Sequence, residues 1–148
     1  MTGEQLLSFH ATVHARPQET GLGNLQMLRG ESLPTLAVSS ESALDGFPAS
    51  FEEVEAAYGR ELRMFFEPDG SFVWRSSTDE PTWQVDGLVF DRDGRVRYVE
   101  LKGACPAARL EWLLAALGWP GQAVMFQPAR EAVFLGEAEF RRYAALSE

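Results

Sequence analysis

The chain is poor in several things whose absence narrows its class. It has a single cysteine, Cys105, so no disulfide can form within it, and no cluster of Cys and His has the spacing of a tetrahedral zinc site. A reducing, cytoplasmic compartment is the expectation. No run of about 18 apolar residues occurs. The opening "MTGEQLLSFHATVHARPQETG" has no basic start followed by an apolar stretch, so neither a membrane span nor a secretory leader is expected. Basic charge is also scarce: 13 Lys and Arg against 22 Asp and Glu give a net charge of −9, which repels phosphate backbones and disfavours general nucleic-acid binding. The local exception is Arg92, Arg95, Arg97 and Lys102, which crowd one stretch.

What is present suits one globular domain. With 148 residues, 45% hydrophobic and 11% aromatic, the chain is long enough to bury about 68–70% of its unfolded surface without staples. Residues 1–49 carry glycines at 21, 23, 30 and 46 and prolines at 17, 34 and 48 between short apolar runs. They are expected to be a loosely ordered segment docking on the body, with one strand in "SLPTLAVSS" and a short element beginning at Leu6, Leu7 and Phe9.

Residues 50–148 are more regular. Ser50 and Glu53 form a capping box that opens a helix with Phe51, Val54, Tyr58 and Leu62 toward the core. "RMFFEPDGSFVWR" reads as a hairpin in which Pro68 and Gly70 set a three-residue turn, Phe66 pairs with Phe72 and Met64 with Trp74. "WQVDGLVFDRDGRVRYVELKG" reads as a second hairpin with Arg92, Asp93 and Gly94 in its loop. A helix follows, starting near Pro106, with Leu110, Leu113, Leu114 and Leu117 on one face and Gly118 as its stop. A third hairpin, "QAVMFQPAREAVFLG", and a closing helix with Phe140, Tyr143 and Leu146 complete the order α-ββ-ββ-α-ββ-α. Hairpins and separate helices predict an α+β fold, a mainly antiparallel sheet with helices on one face.

The second hairpin holds the main chemical candidate. A three-residue loop sets Asp86 opposite Glu100 and Gln84 opposite Lys102, all on one face because strand side chains alternate. Two carboxylates suit Mg²⁺ or Mn²⁺, whose bound water is a potential nucleophile, and Lys102 would orient it or stabilise charge on a phosphate. Here the sequence resembles the PD-(D/E)XK nuclease superfamily. Asp86 and Glu100-Leu101-Lys102 match its Asp and Glu-x-Lys, and the helix–strands–helix–strand order over residues 50–127 is similar to that family's core. Val85 stands where the motif has proline. The resemblance implies metal-dependent phosphodiester cleavage, with Asp86 and Glu100 as metal ligands, Lys102 as base or charge stabiliser, and nucleic acid as substrate.

The competing expectation is a non-catalytic domain that binds a partner or ligand. The element order and acidic charge resemble those of small acidic secretion chaperones, which dimerise through a helix and bind partner segments along their sheets. No nucleophile sits beside a paired base. His10 and His14 would share a face on a helix or on a strand but have no third ligand nearby in sequence and read as a solvated pair, and Cys105 before a helix reads as a packed or capping thiol. Asp91 and Asp93 serve a turn. Trp112 lies off the leucine stripe of its helix and is the expected anchor of an interface, with self-association or a protein partner as its occupant. The binding domain is the reading adopted from sequence, with the nuclease as its alternative.

Overall fold

The computed structural model describes residues 5–39, 41 and 45–146. Nine strands and three helices follow one another as β1 (Leu6–Ala15), β2 (Gly21–Leu28), β3 (Glu31–Ala37), α1 (Phe51–Tyr58), β4 (Met64–Phe66), β5 (Ser71–Arg75), β6 (Gln84–Arg92), β7 (Arg95–Pro106), α2 (Ala107–Ala115), β8 (Val124–Pro128), β9 (Leu135–Gly136) and α3 (Glu137–Ala145). Seven strands form one sheet in the order β4-β5-β6-β7-β1-β8-β9, antiparallel at every pairing. β2 and β3 form a separate two-stranded ribbon. The fold is α+β. No helix among the described residues is long and apolar enough to cross a membrane.

The N-terminal segment departs from its expected looseness. β1 is an interior strand, paired over Leu6–Val13 with β7 on one side and over Ala11–Ala15 with β8 on the other. Its alternation explains the place: Leu7, Phe9, Ala11, Val13 and Ala15 are buried on one face, while Ser8, His10, Thr12 and His14 lie on the other. Leu6–Ala15 therefore supplies an interior strand of the sheet rather than an appendage. Both β7 and β8 run antiparallel to β1, so they are parallel to each other, and α2 makes the crossover that such strands require.

The helices cover one face of the sheet. Ser50 caps α1 as the capping box predicts: its hydroxyl accepts from the Glu53 N–H at 3.1 Å, and the Glu53 carboxylate accepts from the Ser50 N–H at 2.9 Å. Val54 and Tyr58 are buried beneath α1. The helix ends at Tyr58, so Leu62 lies beyond it and is exposed, contrary to expectation. Leu110, Leu113, Leu114 and Leu117 are buried along α2 and after it. On α3, Phe140 lies flat on Phe126 of β8 and tilts against Phe9 of β1. The Tyr58 hydroxyl donates to the Leu113 carbonyl at 2.7 Å, joining α1 to α2, and burial pushes its pKa well above the ordinary phenol value.

The first hairpin has the expected register, Met64 opposite Trp74 and Phe66 opposite Phe72. The second does not. Asp93 and Gly94 both take left-handed backbone angles, φ of 56° and 82°, and Arg92 pairs with Arg95 across this two-residue turn. Two residues at positive φ make the tight turn favoured by strand twist. Arg97 is then the extra residue of a bulge, because Asp91 pairs with Val96 but Phe90 with Tyr98. The net effect is a two-residue shift: Asp86 faces Lys102, Leu88 faces Glu100 and Gln84 faces Ala104. An even shift leaves every side chain on its expected face, which is why the carboxylates and the lysine still share one.

Candidate functional site

The face of the sheet away from the helices is ordered in rows. Phe90, Tyr98 and His14 form an aromatic row, Tyr98 stacking on both neighbours, and Phe134 closes it edge-on against His14. Asp86, Lys102 and His10 form a second row across β6, β7 and β1. Between these two rows lies a third, with Leu88, Glu100 and Thr12.

Asp86, Glu100 and Lys102 line one depression of about 270 Å³ together with His10, Gly87 and Leu88. Glu100 is bound to the His10 imidazole, Oε2 to Nε2 at 3.0 Å, with both side chains about 40% exposed. Asp86 accepts a hydrogen bond from the Gln84 amide at 2.8 Å. The two carboxylates are thus diagonal neighbours with separate partners, not the directly facing pair expected from the three-residue loop. Gly103 lets β6 and β7 close up beside Lys102. Its φ is 138°, and a Cβ there would stand 2.1 Å from the Gln84 carbonyl oxygen. Among the described residues no three of His, Cys, Asp and Glu gather as a metal-ligand group. Asp86 and Glu100 remain the two carboxylates that a hard divalent cation would use, with water filling its other positions.

Two members of this site carried signals that the hairpin reading did not use. Lys102 is the only lysine of the chain, the other twelve basic residues being arginine. His10 comes from a strand some ninety positions away, and no local motif announces its contact with Glu100. His10 and His14 do share a face, yet four strand positions separate them by roughly 13 Å, too far for one metal. His14 instead hydrogen-bonds Thr12 at 2.7 Å, and burial lowers its pKa to about 4. Cys105 is buried and its thiol is pushed up to about 12 by desolvation, which makes it a packed, inert group.

Trp112 is not the exposed anchor expected from its place off the leucine stripe. It is half-buried between α1 and the sheet, stacked on Tyr58 at 5.4 Å and against Trp74 at 4.8 Å between ring centres. A charge at that position would disrupt the aromatic cluster before it disturbed any interface. The exposed apolar surface lies elsewhere. Leu22, Leu25 and Met27 on β2 are 85%, 68% and 65% exposed, half of the six large hydrophobic side chains exposed among the described residues. β2 pairs with β3 on one side, and β3 reaches the body through the Leu36 N–H to the Phe134 carbonyl. The other side of β2 is a free edge among the described residues, and Gly21–Leu28 contains no charged residue.

Glycines at 21 and 23 interrupt the apolar residues of this segment in the sequence, and its lack of charge was the missed signal. No family model matches the chain, and no curated protein or solved structure matches it either.

Proposed function

We propose that the chain is a non-catalytic protein-binding domain that pairs through the edge of β2, and that the strand it receives is β2 of a second copy. The observation that carries this reading is an edge strand with three exposed large apolar side chains and no charge. Edge strands that stay unpaired are ordinarily blunted by lysine or other charges, and β2 has none. The occupant follows from charge and symmetry. Two chains of net charge −9 repel each other, and an uncharged strand is where they can meet with least repulsion. Antiparallel pairing of β2 with itself is closed by a two-fold axis and gives a ribbon β3-β2-β2-β3 in which Leu22, Leu25 and Met27 of the two copies come together across the new seam.

Sedimentation velocity tests this directly. The natural chain is expected to sediment as a dimer, and the doubly substituted Leu25→Glu, Met27→Glu chain as a folded monomer whose melting temperature no longer depends on concentration, because both side chains are exposed and support nothing within the protomer. A natural chain that is monomeric at every concentration overturns the proposal.

One observation supports a second reading: Asp86, Glu100 and the sole lysine share a depression. On that reading Asp86 and Glu100 hold Mg²⁺ or Mn²⁺, which supplies an activated water when bound, and Lys102 stabilises charge on a phosphodiester. Calorimetric titration with Mn²⁺, followed by incubation with single- and double-stranded DNA and RNA, separates the two. The binding-domain reading expects no saturable metal binding and no cleavage. Metal-dependent cleavage that disappears in Glu100→Gln would replace it with the nuclease.

A further inference from the structure

The turn of the β2–β3 ribbon fixes which backbone groups lie on its free edge. Arg29 and Gly30 both take left-handed angles, φ of 49° and 80°, so a two-residue turn joins Leu28 to Glu31. The pair that closes such a turn exchanges both backbone bonds, and bonded and non-bonded pairs alternate from there. Leu28 with Glu31 and Gln26 with Leu33 are therefore bonded pairs, while Met27 with Ser32 and Leu25 with Pro34 are not. Proline suits its place, because a residue of a non-bonded pair turns its backbone nitrogen away from the partner strand. Two positions on, the Leu36 N–H is turned the same way and donates to the Phe134 carbonyl at 2.8 Å. On β2 the groups that point out of the ribbon are consequently those of Leu25 and Met27.

This regular edge is short. Before Leu25 the pairing skips from Leu22, and the Asn24 carbonyl accepts the Thr35 hydroxyl at 2.6 Å. After Leu28 the chain enters the turn. The skip also keeps Leu22, Leu25 and Met27 on one face of the ribbon, opposite Leu36, Pro34 and Ser32, while Gln26 lies on the other face with the buried Leu33.

We propose, resting on the reading that β2 pairs with β2 of a second copy, that the two-fold axis passes at Gln26, with Leu25 of each strand opposite Met27 of the other. This is the antiparallel register in which both outward residues of each copy form bonded pairs. A shift of two residues sets Leu25 against Leu25 or Met27 against Met27, and the remaining outward residue then meets the bulge or the turn. A shift of one sets outward groups against inward ones. The chosen register also places each exposed Leu25 side chain beside a Met27, and it brings the two Gln26 carboxamides together, each able to donate to the other. The outer side of β3 offers no competing edge at this point, since Pro34 has no N–H and that of Leu36 is already taken.

Disulfide trapping tests the register. Cys105 is buried, so a cysteine placed in β2 is the reactive thiol. Across a non-bonded pair the two Gln26 Cα atoms would stand about 4.5 Å apart, within disulfide reach, whereas Leu25 or Met27 and its own counterpart would be diagonal neighbours at about 7–8 Å, beyond it. With oxidised glutathione as oxidant, Gln26→Cys is expected to run as a covalent dimer on a non-reducing gel. Leu25→Cys and Met27→Cys should each stay single, yet cross-link to one another when mixed. Reduced Gln26→Cys should sediment as the natural chain does, which checks that the substitution leaves the assembly intact.

Self-cross-linking of Leu25→Cys or Met27→Cys as ready as that of Gln26→Cys, in a protein that sediments as a dimer, overturns the register and leaves the pairing of β2 standing. A dimer in which none of the three cysteines cross-links places the interface elsewhere and overturns both. So does a natural chain that is monomeric at every concentration.

Discussion

Phe9→Ala should lower the free energy of unfolding by about 3–5 kcal/mol, the range for removing a buried aromatic side chain and leaving its cavity. Phe9 is 3% exposed in the strand between β7 and β8, and its ring tilts against Phe140 of α3 at 5.9 Å. Truncation there removes contacts to the sheet and to the closing helix together. Against the about 5–15 kcal/mol typical of a whole domain, the loss is large. Urea unfolding is the check, and the midpoint is expected to fall with little change in slope. A loss below about 0.5 kcal/mol, the scatter of surface substitutions, would mean that the first strand is peripheral after all.

Acid should destabilise the protein through His14. Its ring is enclosed by Tyr98 and Phe134, and burial holds its pKa at about 4, below the ordinary imidazole value of about 6.5. The folded pKa is the lower one, so the unfolded chain binds the proton more readily. Stability from this group is therefore complete above about pH 6.5 and is lost as pH falls toward 4, by up to roughly 3 kcal/mol. His14→Gln can keep a hydrogen bond to Thr12 and has no proton to gain. Its stability is expected to fall less between pH 6.5 and 4.5 than that of the natural chain when both are followed by urea unfolding. Parallel pH profiles for the two proteins would contradict the assignment.

Local chemistry explains which parts of the fold were legible. The Ser50–Glu53 box and the leucine stripe of α2 each lie within a few turns of one helix, and Pro68 with Gly70 sets its hairpin within a few residues. Such signals need no distant partner. The second hairpin misled because Asp-Gly satisfies two turn types, and the bulge at Arg97 depends on how the completed sheet twists rather than on the residue itself. β1 carried a period-two pattern from Leu7 to Ala15, but its apolar positions include two alanines and its partners are β7 and β8, about ninety or more positions away. Nothing nearby in sequence reports that pairing.

The site divides the same way. Asp86, Glu100 and Lys102 were legible because one hairpin carries all three, and they kept a common face because the register error was even. His10 enters the site only through the long-range pairing of β1. Trp112 was misplaced because distance from a leucine stripe does not distinguish an exposed ring from one wedged under a neighbouring helix, here against Tyr58 and Trp74. β2 was overlooked because its glycines outweighed its lack of charge.

Amide hydrogen exchange along β2, measured at several protein concentrations, tests the central claim most directly. Pairing of two copies through this strand predicts that the β2 amides not bonded to β3 become protected as concentration rises, in step with the dimer. Rapid exchange of those amides at every concentration, beside well-protected amides in β1, would contradict it.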